Sequence, residues 1–411
     1  MEKIHSILVR ILTLAMTVLV FVLSGCQKQE SVTKLAESGG LFSIEVAITE
    51  VNDFLKAMGP AVTRAYGNDR RVGSIWVKSL DPDAQPSDAK SPKLYILNFE
   101  DSLGFAIVSN DPNKGVLGLA FSGTFSEDEP IDNPGFAIIM EQLEAIGRTP
   151  TRVDSIHHYV YGEWEDVYYV PNTGYCQVKW HQGLPNGNQY NAYCPVINGI
   201  TCPAGCGPVA VALLMSMYKY PSSYGAYSFN WNSMIANSAA TDNYGDYYVG
   251  RLLQQLGLSQ NLSVTYLPSG SSSSNTNISH TLENFGYAHG GTLGYFSNAA
   301  IQDLKNGYPI IMCGHTANGS GHGWLAHGVY ERTRECLGYS ENGEILYYGS
   351  DTATYILHNF GEGGFGDGFY MLNNYDTTQG PAYVDPIIPY VSYGSENYGN
   401  NITCVYGIRR Y

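Results

Sequence analysis

The chain is expected to be an α+β protein in two units, a small α+β unit followed by a larger α+β domain. Three observations point there. Tyrosine accounts for 33 of 411 residues, yet only Tyr66 and Tyr95 precede residue 150. Before that point the apolar spacing runs from helical to strand-like and back to helical. After it comes one helix that is apolar nearly all round, then strands punctuated by glycine. A chain of 411 residues is too long for one ordinary core. With 44% hydrophobic and 14% charged residues it has the composition of a folded protein. The formal charge of −15 leaves no basic footprint, so no nucleic-acid partner is expected.

At the N-terminus Lys3 and Arg10 precede an apolar run over residues 11–23. That run is too short to span a bilayer comfortably and has the charged-then-apolar layout of a secretory signal. Leu23-Ser24-Gly25-Cys26 resembles the bacterial lipobox, in which the cysteine is acylated and becomes the new N-terminus. Residues 1–25 are therefore expected to be a lipoprotein signal peptide and 26–42 a polar tether. Cys26 is the expected lipidation site and the membrane a partner through it. Several acyl chains on one residue anchor stably, where a single chain is marginal. An ordinary secreted signal cut near Gly25 is the alternative. Either way the mature protein is exported, to the outer membrane or cell surface or beyond it.

In the Tyr-poor unit, residues 43–150, Ile44, Ala47, Ile48, Val51, Phe54, Leu55 and Met58 recur at helical spacing, and Gly59-Pro60 stops them. Strands are expected at 74–77, 94–99, 104–109 and 116–120, separated by Asp-, Gly- and Pro-containing turns. A last helix is expected over 136–146. The unit has 11 basic against 18 acidic residues, a charge of −7 over 27–150, and contains no His and no Cys after Cys26. A unit without catalytic side chains ahead of a richer one is a binding module or a pro-domain. Residues 151–175 have little periodicity and are expected to be a linker, where an activating cut would fall.

The chemistry lies in residues 176–411. Cys202-Pro203-Ala204-Gly205-Cys206-Gly207-Pro208 forms a turn ahead of an apolar helix, with Pro208 suited to its first position. Cys206 is then at a helix N-terminus, where free N–H groups and the dipole are expected to lower the thiol pKa. The flanking glycines let a substrate backbone approach. A thiolate needs a proton partner, and nine of the ten histidines lie between His157 and His358. His322 in Gly321-His322-Gly323-Trp324 is expected at the start of a strand. Asn359, after a strand ending near Leu357, can orient an imidazole. Gln182, in Trp180-His181-Gln182, offers an amide to an oxyanion. His315, His322, His327 and His358 are also possible zinc ligands, but no His-Glu-x-x-His and no paired Cys-x-x-Cys accompanies them. No metal and no cofactor are expected.

These segments, together with His358-Asn359-Phe360-Gly361-Glu362-Gly363-Gly364 and Asp367-Gly368-Phe369-Tyr370, resemble the four motif blocks of the streptopain family of bacterial cysteine peptidases, to which interpain-like enzymes belong. The resemblance implies a papain-like catalytic domain over 176–411, preceded by an inhibitory pro-domain over 43–150. It implies an endopeptidase made as a zymogen, with proteins or peptides as substrates and its own pro-domain as inhibitor. It assigns Cys206 as nucleophile, His322 as general base, Asn359 as orienting residue and Gln182 to the oxyanion hole. Gly205, Gly321, Gly323, Trp324, Phe360 and Glu362 are expected to line the substrate cleft. Two positions depart from the family, which tends to have tryptophan where Phe360 and Glu362 stand, and Glu362 brings a carboxylate to the site. His327-Gly328 replaces a common Asp-Gly. A second expectation, of a different class, is a lipoprotein that binds protein or glycan through its Tyr-rich face on a diverged peptidase fold.

Overall fold

The computed structural model describes residues 43–58, 70–83, 91–111, 114–126, 133–148, 158–294, 298–316, 319–372 and 402–411. The signal, tether and Cys26 expectations, and Arg152 and His157 of the expected linker, fall outside these residues. Among the described residues no helix is long and apolar enough to cross a membrane.

The early unit follows its periodicity closely. Helix α1 (Ile44–Ala57) starts at Ser43, whose hydroxyl accepts from Val46 N at 3.4 Å, and buries Ala47, Val51 and Phe54 at helical spacing. Strands β1 (Val72–Ser79), β2 (Lys93–Phe99), β3 (Phe105–Ser109) and β4 (Val116–Ala120) form an antiparallel meander. Helix α2 (Pro134–Arg148) is capped by Asn133, whose Oδ1 accepts from Phe136 N at 2.9 Å. The expected linker is not bare chain: β5 (His158–Tyr161) and β6 (Glu165–Tyr169) sit within it and pair with a later strand. Their Tyr-rich, half-exposed pattern carries little apolar alternation, because an edge strand buries few side chains.

The later part begins with the hairpin β7 (Val196–Ile197) and β8 (Ile200–Thr201), then α3 (Cys206–Tyr218). Helix α3 is buried from Gly207 to Met217. It starts at Cys206 rather than Pro208. The proline still falls in the first turn, where its missing N–H breaks no intrahelical bond. The hairpin β9 (Ser223–Tyr224) and β10 (Tyr227–Ser228) precedes α4 (Trp231–Ala236), α5 (Tyr248–Gly257) and α6 (Thr276–Asn284). Then come β11 (Tyr287–Ala288), β12 (Gly291–Leu293), α7 (Asn298–Lys305), β13 (Ile310–His315), β14 (Gly321–Tyr339), β15 (Ile345–Asn359), β16 (Gly368–Leu372), β17 (Ile402–Tyr406) and β18 (Arg409–Arg410).

One sheet unites the halves in the order β1-β2-β3-β4-β16-β15-β14-β13-β17-β12, with β5 and β6 also on β14. The seam is β4 against β16, with Ala120 opposite Gly368 and Gly118 opposite Tyr370. The sheet separates two apolar cores. One holds Phe54, Phe105 and Phe136 of the early unit together with Trp324, Tyr330, Tyr355, Phe360 and Tyr370. The other holds α3 and α5 with Ile311, Cys313 and Leu325. Phe54 lies 5.4 Å from the Tyr330 ring and 5.1 Å from that of Tyr355, both edge-on, so aromatic burial ties the early unit to the long hairpin β14–β15. The fold is α+β, as the sequence indicates.

Candidate active site

Cys206 opens α3 in a backbone bend that only glycine makes easily. Gly205 before it has φ 96°. The Cys206 sulfur faces the backbone N–H groups of Gly323 and Gly207 and its own. These favour a thiolate, yet burial is the larger effect and Glu362 adds to it, so the thiol is pushed up rather than down. Burial and the Glu362 charge thus outweigh the lowering expected from the helix N-terminus. Ser271 and Ser273, in the serine-rich segment 269–274, also close on this bend. The Ser271 carbonyl is 3.4 Å from where a Gly205 Cβ would stand, and a Cβ on Gly207 would collide with Ser273 Oγ. That loop has no periodicity of its own, so its place beside the thiol is set by packing alone.

Gln182 is brought to the same bend by its backbone, since Ala204 N donates to Gln182 O at 2.7 Å. Its side chain is engaged: Nε2 donates to Glu362 Oε1 at 2.8 Å. The loop that carries Glu362 is pinned from three sides. Gly361 N donates to Asn359 Oδ1 at 3.0 Å, Phe360 N to Asp367 Oδ1 at 2.8 Å, and Gly363 N to Trp180 O at 3.4 Å. Asp367, buried in that turn, has its carboxyl raised to about 7 by burial, against the opposing Phe360 N–H and the Lys179 charge.

Asn359 faces Leu325 across β14–β15, on the α3 side of the sheet. Its Nδ2 donates to Val178 O at 3.0 Å and contacts Cys176 Sγ at 3.7 Å. His322 is on β14 as expected but turns the other way. Side chains alternate along a strand. Leu325 joins the core around α3, whereas Trp324 joins the opposite core, and His322 lies with Trp324 at 6.2 Å and 17° between rings. Its Nε2 is 2.8 Å from Phe360 O. Above it sits the first turn of α2: a Cβ on Gly135 would be 2.7 Å from His322 Cδ2 and 2.5 Å from Phe360 Cδ1. Burial lowers the His322 pKa to about 4, so the ring is neutral at pH 7 and Nε2 donates to Phe360 O. Among the described residues no hydrogen bond joins His322 to Cys206 or Asn359.

The site thus gathers Cys206, Gln182 and Glu362, with Asn359 on the same side of the sheet, and holds His322 apart under α2. Of the residues expected to line the cleft, Gly205 and Gly323 adjoin the thiol, and Gly321 packs against His315. Trp324 and Phe360 instead lie in the core beneath α2, 0% and 1% exposed, because the early unit covers that face. Trp324 Nε1 donates to His358 Nδ1 at 2.9 Å, and His327 Nδ1 accepts from Cys176 N at 3.3 Å, so His358 and His327 are core residues, while His315 at the end of β13 is exposed. The seven described cysteines are all free. Gly135 and Asn133 could not be picked out from the sequence, since each acts only through contacts far along the chain. Asn133 Nδ2, for instance, donates to Phe365 O at 2.7 Å.

Residues 180–370 match the family model described as Peptidase C10 family. Two solved structures from Prevotella intermedia are similar. A prointerpain A fragment carrying a Cys-to-Ala substitution has TM-score 0.46 and 17% identity, covering 81% of this chain and 98% of that one. Active wild-type interpain A cysteine protease has TM-score 0.37 and 18% identity, covering 56% of this chain and 92% of that one. No curated protein matches the chain. The matched residues include Gln182, Cys206, His322 and Asn359, so the chain carries a cysteine-type peptidase segment similar to the Peptidase C10 family.

Proposed function

We propose that the chain is the inactive precursor of an exported cysteine endopeptidase, lipid-anchored through Cys26 and held latent by residues 43–150. Cleavage within 151–175 releases that pro-domain. His322 then turns to the α3 side of the sheet, meets Cys206 and takes its proton. The Cys206 thiolate attacks a peptide carbonyl, and the oxyanion is held by Gln182 Nε2 and the Cys206 N–H. His322 protonates the leaving amine, the C–N bond breaks, and a thioester remains. Water, deprotonated by His322, then hydrolyses the thioester and returns the thiol. Asn359 orients the imidazole throughout. Substrates are proteins or peptides, and no cofactor takes part.

The observation that carries latency is the contact of Gly135 with His322 and Phe360, where the early unit closes over the one proton carrier the chemistry needs. The apolar core common to both units supports inhibition by docking, since both are acidic, at −7 for 27–150 and −9 (9 basic, 18 acidic) for 151–411. The lipobox-like Leu23-Ser24-Gly25-Cys26 supports anchoring. The test is to express residues 27–411 beside Cys206→Ala and follow mass and hydrolysis of an unfolded protein over time. The parent is expected to lose a fragment that includes 43–150 and to gain activity, and Cys206→Ala to do neither. Equal maturation and cleavage by both would defeat the proposal. Incorporation of labelled fatty acid into the full chain but not into Cys26→Ser checks the anchor.

A further inference from the structure

Glu362 puts a negative charge where the oxyanion has to form. Gln182 Nε2 donates to its Oε1 at 2.8 Å, and the carboxylate is the charged group acting on the Cys206 thiol. Its loop is fixed by the bonds of Phe360, Gly361 and Gly363 described above, so Glu362 is delivered to Gln182 by the fold rather than resting there by chance. An oxyanion at the same Nε2 would face this carboxylate at close range with part of the water excluded, a strongly unfavourable pairing. The amide keeps a second N–H for the oxyanion, but the negative charge beside it weakens that bond, so turnover speeds up when the carboxylate moves or is offset. A cation brought by the substrate does both. The Cα atoms of the two residues flanking a scissile bond lie within about 4 Å of its carbonyl oxygen. A lysine or arginine stem adds about 6 Å of reach. A basic side chain on either residue can thus meet Glu362 while the carbonyl points at Gln182. An acidic one meets like charge and leaves the carboxylate facing the oxyanion, which is selection by repulsion as well as attraction.

We propose that Glu362 is a specificity-determining residue that selects substrates with a basic side chain flanking the scissile bond, the cation offsetting the carboxylate charge beside the oxyanion. The inference rests on the cysteine-peptidase mechanism above. The test uses matured enzyme and three peptides that differ only in Arg, Gln or Glu at each flanking position, with Glu362→Gln and Glu362→Lys beside the parent. Glu362→Gln keeps the shape and can still accept from Gln182, so it removes the charge alone. The parent is expected to favour Arg over Glu by about tenfold in kcat/KM. Glu362→Gln should bring the ratio within about twofold, and Glu362→Lys should invert it.

A second readout needs no turnover. The rate at which cationic 2-aminoethyl and anionic 2-sulfonatoethyl methanethiosulfonate label Cys206 in the full chain should favour the cation in the parent, and that ratio should collapse in Glu362→Gln. An unchanged preference and an unchanged labelling ratio in Glu362→Gln overturn the proposal. A parent that cleaves all three peptides equally overturns this inference and leaves the peptidase mechanism standing. A parent that cleaves none overturns both.

Discussion

Replacing Gly135 by leucine should loosen the early unit from the catalytic domain. A Cβ there stands 2.5 Å from Phe360 Cδ1 and 2.7 Å from His322 Cδ2, about 1 Å inside ordinary carbon contact. Neither ring has room to retreat. Phe360 and His322 are 1% and 5% exposed, the Phe360 N–H is held by Asp367, and the His322 ring is held by Phe360 O. Overpacking of this kind costs about 1–3 kcal/mol. Leucine recovers up to about 1 kcal/mol over glycine as a helix former. The net loss of docking, about 1–2 kcal/mol, raises the undocked population roughly five- to thirtyfold. In a Cys206→Ala background, which prevents self-conversion, histidine carbethoxylation followed by mass spectrometry reads that population directly. His322 should be modified faster in Gly135→Leu by that factor. His327, buried on the other face beside Cys176, is the internal control and should not change. An unchanged His322 rate would refute the covering role of α2. An equal acceleration of His327 would mean general unfolding instead.

Gln182→Ala should lower kcat of the matured enzyme by on the order of 10²–10³-fold with little change in KM, while iodoacetamide still alkylates Cys206. A loss of alkylation together with activity would mean that Gln182 holds the bend and does not stabilise an oxyanion. The full chain should also be acid-labile. Burial lowers His322 to about 4 and His327 and His358 to about 3, from 6.5, so the folded chain binds fewer protons than the unfolded one between those values. Stability is then full above about pH 6.5 and falls as the pH drops toward 4. Asp367, raised to about 7 by burial, works in the opposite direction below pH 7 and offsets about one histidine, which leaves the other two to set the sign. Urea midpoints measured from pH 7 to pH 4 should decline, and a flat or rising profile would contradict the buried, neutral histidines.

Much of the early unit was legible because its signals are local. The spacing from Ile44 to Met58 names a helix, and the turns around Asp101 and Asp111 mark out the strands that form β2, β3 and β4. Local turns and apolar runs placed Cys206 at a helix start, His322 at a strand start and Asn359 at a strand end, as the structure has them. What the residues could not reveal is which face of β14 His322 takes. That depends on α2, whose Gly135 leaves just enough room for the ring. The same holds for β5 and β6, which are strands only because β14 offers them an edge. The Glu362–Gln182 bond was foreseen as a nearby charge but not as a bond, since 180 residues separate the two.

The seam of the sheet has a kinetic meaning. Ser122 Oγ bonds Gly364 O beside the β4–β16 pairing, across 242 residues of chain. Closing a loop of that length costs about 5 kcal/mol in chain entropy before any contact repays it. Strands β1 to β4, by contrast, pair with their sequence neighbours, so they can form early, as local contacts do. During synthesis the first half is complete while β16 has yet to be made. It then presents a finished strand edge on which the last part of the sheet can align. The early unit is thus placed to act as a folding template for the domain that it later covers.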